Sequence, residues 1–81
     1  MSLKMLRMKD VKETFGLSRS TIYDRIEKGL LTPPVNLGGR SVGWLSLEIN
    51  KIAWAYNSGM PEDGIKELVK WLMEVRTMNL I

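Results

Sequence analysis

The chain has 81 residues, 12 Lys and Arg against 9 Asp and Glu, and neither His nor Cys, the profile of one small basic domain. Without those two residue types it has no imidazole base, no thiolate nucleophile, no zinc site of the common kinds and no disulfide framework. A fold this short buries only about 60% of its unfolded surface, so most of the apolar residues, 44% of the total, are committed to one core. We expect a binding protein and no enzyme, cofactor or metal.

Charge is distributed unevenly. The first forty residues hold eight cations against four acids, and the remainder four against five. A basic N-terminal half fits a polyanion-binding head followed by a packing or partner-binding segment. Charge alone does not separate this from an ordinary solvated surface. No apolar run reaches the length of a membrane span, and Lys4 and Arg7 interrupt the stretch where a signal peptide needs its hydrophobic segment. A cytoplasmic protein with no membrane contact is expected.

In chain order, Met8, Val11 and Phe15 stand at helical spacing, and Gly16 ends that helix. A second helix starts at once: Ser18 is its N-cap, Leu17 and Ile22 form a hydrophobic staple, Ile22 and Ile26 form a narrow inward stripe, and Gly29 closes it after Lys28. Two short helices joined by a Gly-Leu turn make a helix-turn-helix signature. Pro33 and Pro34 stop any helix, and two alternating segments flank Gly38-Gly39. Val35 and Leu37 on one strand and Val42 and Trp44 on the next predict a hairpin that buries all four together. Laid against the helices, such a hairpin is a wing.

Ser46 is expected to cap a third helix with Leu45, Ile49, Ile52, Ala53 and Tyr56 on its inner face, while Leu47 and Trp54 project elsewhere and imply a second contact surface. After Asn57-Ser58-Gly59, Pro61 begins a fourth helix to about Thr77 with Ile65, Leu68, Val69 and Leu72 in register, widened by Trp71, Met73 and Val75. The expected division is 1–58, a winged helix-turn-helix head of the kind that binds DNA, and 59–81, a C-terminal helix for packing or dimerisation. The fold class is mainly α with a small β-hairpin. Two outcomes stand for the last helix: folding back onto Leu47 and Trp54, or a homodimer through Leu68, Val69, Trp71, Leu72 and Val75.

The candidate site lies on the second helix and the hairpin tip. A wheel at 100° per residue puts Arg19, Ser20, Tyr23, Asp24 and Glu27 on the solvent side of the inward stripe. From there Arg19 suits a guanine edge, Ser20 and Thr21 a phosphate or base, and Tyr23 a phosphate or thymine methyl. Gly38 and Gly39 permit close backbone approach to a phosphate, with Arg40 beside them to pair with it or enter a narrow minor groove. A capped surface helix and an ordinary turn explain the same residues without DNA. Glu62 and Asp63, adjacent acids in a first helical turn, are dipole complements and not a catalytic pair. The six Met residues are core filler or interface plasticity. Trp44 and Tyr56 are assigned to the core, Trp54 and Trp71 to an interface.

The strings Leu6-Arg7-Met8-Lys9-Asp10-Val11 and Gly16-Leu17-Ser18-Arg19-Ser20-Thr21-Ile22-Tyr23, then Gly29, Pro34-Val35, Leu37-Gly38 and Val42-Gly43-Trp44, resemble the AlpA family of phage regulators over about residues 6–56. That family is a branch of the MerR-like and excisionase-like winged helix-turn-helix proteins. The resemblance implies sequence-specific duplex DNA binding, with Ser18 to Lys28 in the major groove and the wing Gly38 to Arg40 on the backbone or minor groove. The implied DNA-contacting set is Ser18, Arg19, Ser20, Thr21, Tyr23, Asp24, Lys28, Gly38, Gly39 and Arg40. Asp24 stands where the family often has a basic residue, so the bases preferred are not implied. Three functions share such a head: a transcriptional regulator, an excisionase and a phage terminase small subunit. Recombinase or RNA polymerase would be the corresponding protein partner, and an adaptor that uses the fourth helix is the alternative without DNA.

Overall fold

Asp10 accepts a hydrogen bond from the backbone N–H of Arg7 at 3.0 Å, which starts helix α1 (Met8–Phe15). Gly16 ends it in the left-handed conformation, φ 67°, a geometry that a Cβ would penalise. Helix α2 (Arg19–Glu27) begins at Ser18, whose hydroxyl accepts the Thr21 N–H at 3.3 Å, so the predicted cap and turn are both present. The computed structural model describes residues 4–78. It adds strands β1 (Met5–Leu6), β2 (Val35–Gly38) and β3 (Ser41–Leu45) and helices α3 (Ser46–Asn57) and α4 (Glu62–Met78). The sheet is antiparallel in the order β1-β3-β2. The part of the C-terminal segment beyond Met78 lies outside the described residues.

The core gathers residues from every helix. Val11, Ile22, Trp44, Ile49, Ile52 and Ile65 are all fully buried. Trp44 also donates its indole N–H to the Thr32 carbonyl at 3.0 Å, which satisfies the one polar group this ring brings inside. Leu30 and Leu31, buried in the segment after α2, belong to the core although they show no periodicity of their own.

Four expectations are corrected. The hairpin does not bury its four apolar residues together: Val35 pairs with Gly43 and Asn36 with Val42, so Val35 and Gly43 share one face and Val42 and Trp44 the other. Gly38 pairs with Ser41 across a two-residue turn, and the register shifts between Asn36 and Gly38. That turn and shift set a register one residue away from the anticipated one, which inverts the faces. Leu37 consequently stays exposed, against the space above Gly43. Second, Ser46 does not cap α3 but is its first residue; Leu45 is the cap position. The Ser46 hydroxyl instead accepts the Lys4 N–H at 3.3 Å while its own N–H donates to the Lys4 carbonyl at 2.9 Å. The predicted inner face of α3 needs Ala55 in place of the half-buried Ala53.

The fourth correction concerns α4, which packs beside α3 within the chain. Ile65, Val69 and Leu72 enter the core with Ile49, Ile52 and Ala55. Full burial of such side chains contributes about 1.5–3 kcal/mol each. Three of them rival the whole stability of a small domain, so Val69 and Leu72 are not free to pair with another chain. Nor does α4 cover Leu47 and Trp54, which remain 42% and 70% exposed.

An ion pair that the sequence did not announce fastens the far end of α4. Glu48, 4% exposed, receives the Arg76 guanidinium through two hydrogen bonds, Nε to Oε2 at 3.1 Å and Nη2 to Oε1. Nη2 also donates to the Pro33 carbonyl at 3.2 Å. One arginine thus ties α4, α3 and the loop that enters the wing.

Candidate nucleic-acid interface

The turn between α1 and α2 determines how the first turn of α2 is presented. Ser18 Oγ lies 2.9 Å from Thr21 Oγ1 and 3.3 Å from Ser20 Oγ, besides accepting the Thr21 amide. Ser18 is therefore occupied with the cap, and its hydroxyl is already saturated locally. Arg19 and Tyr23 are exposed one turn apart, and the Arg19 guanidinium stacks over the Tyr23 ring at 5.3 Å. Stacking of this kind reduces the rotamer freedom of Arg19.

The wing tip follows from local chemistry as well. Asn36 Oδ1 accepts the Gly38 N–H at 2.8 Å, and Gly38 and Gly39 take φ of 111° and 56°, values open to glycine. They leave Arg40 exposed at the tip. It faces the start of α2, and a concavity of about 420 Å³ between them is lined by Arg7, Lys9, Arg19, Tyr23, Arg40 and Val42 among others. Arg7 reaches across it, with Nη1 3.5 Å from the Val42 carbonyl.

Four cations thus converge where only two were named from sequence. Among the described residues, neither Arg7, Lys9, Arg19 nor Arg40 forms an ion pair; the two pairs are Asp24 with Lys28 and Glu48 with Arg76. Four unpartnered like charges around one concavity concentrate positive charge that a polyanion would neutralise. Arg7 and Lys9 escaped the sequence reading because their position depends on β1 joining the sheet. The signal available was the pair of cations Arg7 and Lys9 at the start of α1.

The rest of the predicted set is not brought to this concavity. Asp24 and Lys28 are paired at 2.9 Å, and the hydrogen bond and charge of Asp24 raise the Lys28 pKa above its usual value. Both line a separate, mixed-charge surface with Thr21, Arg25, Tyr56 and Glu62. There the Arg25 guanidinium sits 4.7 Å over the Tyr56 ring, whose edge-on neighbour is Phe15. Burial pushes the Tyr56 phenol up, opposed by Arg25.

A helix-turn-helix, a β-hairpin flanking its second helix, and a third helix closing the core define a winged helix-turn-helix protein. The chain belongs to the family described as prophage CP4-57 regulatory protein (AlpA), whose model matches residues 4–55. It is 49% identical over 51 residues to uncharacterized protein ORF88 of Enterobacteria phage P4, a stretch that covers 63% of this chain and 56% of that protein. The chain thus spans little more than half the length of that relative. No solved structure matches. The family match takes in β1, the concavity, the wing and most of α3, while α4 lies outside it.

Proposed function

We propose that this protein is a sequence-specific duplex DNA-binding regulator of the prophage kind, with α2 in the major groove and the wing on the adjoining backbone or minor groove. The observation that carries this reading is the convergence of Arg7, Lys9, Arg19 and Arg40 between α2 and the wing tip. A groove-reading helix needs its base-contacting side chain flanked by phosphate contacts that fix its register. Arg19 has the planar fork for a guanine edge, while Arg7, Lys9 and Arg40 are spaced around it as phosphate partners. Tyr23 holds Arg19 and offers its hydroxyl to the backbone. The family description as a regulatory protein favours transcriptional control over excision or DNA packaging.

Selection of binding sites from random duplex, followed by fluorescence anisotropy over a range of salt, tests it. Neutralising three or four phosphates predicts a slope of log K against log salt of about −3 to −4, together with a preferred site over scrambled duplex. A flat salt response, or equal affinity for selected and scrambled DNA, refutes the proposal.

A further inference from the structure

The hydroxyls at the start of α2 are tied together, with Ser18 Oγ against both Ser20 Oγ and Thr21 Oγ1. Asp24, the acid that follows Tyr23, is held by Lys28. The groups of α2 left free at the concavity are the guanidinium fork of Arg19 and the ring of Tyr23, both exposed. These two are joined, since the guanidinium lies over the ring with its Cζ 5.3 Å from the ring centre. Arg19 forms no ion pair among the described residues, so the ring is the contact that orients its fork.

We propose that Arg19 and Tyr23 act as one reader of a dinucleotide step: a guanine with a 5-methylpyrimidine, thymine in ordinary DNA, in the adjoining pair. The inference rests on the reading of α2 as a major-groove helix given above and adds the step that the helix selects. To bond O6 and N7 of one guanine, the fork must fill the major-groove edge of that base. A ring centred 5.3 Å from Cζ then has no room on the same edge. Successive base pairs lie about 3.4 Å apart, so the ring falls between one step and two away and rests against the neighbouring pair.

Of the groups that base pairs display in the major groove, the C5 methyl of thymine is the apolar one. The ring carbons of Tyr23 suit that methyl, whereas against an amino or carbonyl group they would remove water and return no hydrogen bond. The hydroxyl, at the far end of the ring, is left for the backbone. Each residue thereby makes the other more selective: the ring aims the fork at its guanine, and the bonded fork sets the level at which the ring meets a methyl.

The test uses the full chain and the duplex returned by selection from random sequence. Each thymine beside a guanine in that duplex is exchanged singly for uracil, which removes the methyl and keeps the pairing, and affinity is read by fluorescence anisotropy. One such exchange should weaken binding about fourfold, the effect of burying one carbon, about 0.8 kcal/mol. Cytosine and 5-methylcytosine at that place should differ by the same factor. Tyr23→Phe should keep the discrimination. Tyr23→Ala, checked for fold by circular dichroism, should abolish it and reduce the preference for the adjacent guanine, at an unchanged salt slope. A selected site without such a step, equal affinity for thymine and uracil at every position, or discrimination that survives in Tyr23→Ala or is lost in Tyr23→Phe would each overturn the proposal. Those results leave a preferred site and a steep salt slope standing, whereas a selection that returns no preferred site overturns the major-groove reading and this one with it.

Discussion

Arg76→Ala isolates the contact that fastens α4. The substitution leaves Glu48, 4% exposed, as a buried carboxylate without its counter-charge, and it frees the Pro33 carbonyl. Stranding one member of a buried pair costs about 3–5 kcal/mol. The Arg76 side chain is itself 20% exposed, so water reaches the vacated space and the lower end, about 3 kcal/mol, is expected. For a domain of this size each kcal/mol moves Tm by roughly 4–8 °C, which gives a drop of about 12–24 °C. Thermal and urea unfolding followed by far-ultraviolet circular dichroism and tryptophan fluorescence measure it. The paired change Glu48→Met with Arg76→Met should recover most of the loss, because an apolar replacement of a buried pair is often neutral. Equal destabilisation by the single and double changes, or less than about 1 kcal/mol for Arg76→Ala, would show that the ion pair does not hold α4.

Arg19→Ala should weaken binding to a selected site by about 1–3 kcal/mol and scarcely affect scrambled duplex; an equal loss on both, by mobility shift, would reassign Arg19 to phosphate. Arg40→Ala should weaken all duplexes by a similar factor and flatten the salt slope by about one; a change of base preference at constant slope would indicate minor-groove readout. Gly43→Ala would bring a Cβ within 3.0 Å of a Leu37 methyl and 3.1 Å of the Leu6 carbonyl oxygen. The carbonyl is fixed by the sheet, so a loss of about 1–3 kcal/mol is expected in urea titrations. The Tyr56 phenol is raised above 10.0 in the folded chain, so folding favours the protonated form. Its contribution is complete below the unfolded pKa and is lost as pH climbs through the folded value. Tyr56→Phe should therefore flatten the fall in Tm above about pH 10.

The helices were legible because each carries its own punctuation. Ser18, Gly16 and Gly29 are local signals whose physics requires nothing distant, and α1 and α2 end where those residues stand. Strand faces were not legible, since a register depends on how the turn at Gly39-Arg40 closes, and a shift of one residue moved Val35 and Leu37 away from Trp44. β1 was invisible for a similar reason: two residues have no periodicity, and only pairing with β3 makes them a strand. Half of the cationic concavity followed β1 out of sight. Arg19 and Arg40 could be named from their own elements, whereas Arg7 and Lys9 are positioned by a long-range pairing. Glu48 carries no local sign of its burial, and nothing near it in sequence points to Arg76.

β3 passes into α3 without an intervening residue, and β1 grips its base while Lys4 and Ser46 clasp each other across the junction. The tip of the wing is consequently the free end of a beam built into the wall of the domain. With no loop at that end, the β3 side of the wing has no hinge where it enters α3. The span from wing tip to α2 is then settled when the core forms, like the jaws of a fixed calliper. A fixed span has little ordering entropy left to lose on contact. Under the proposed function it would also measure its target, tolerating a duplex whose groove matches that opening and registering any other as strain in the sheet.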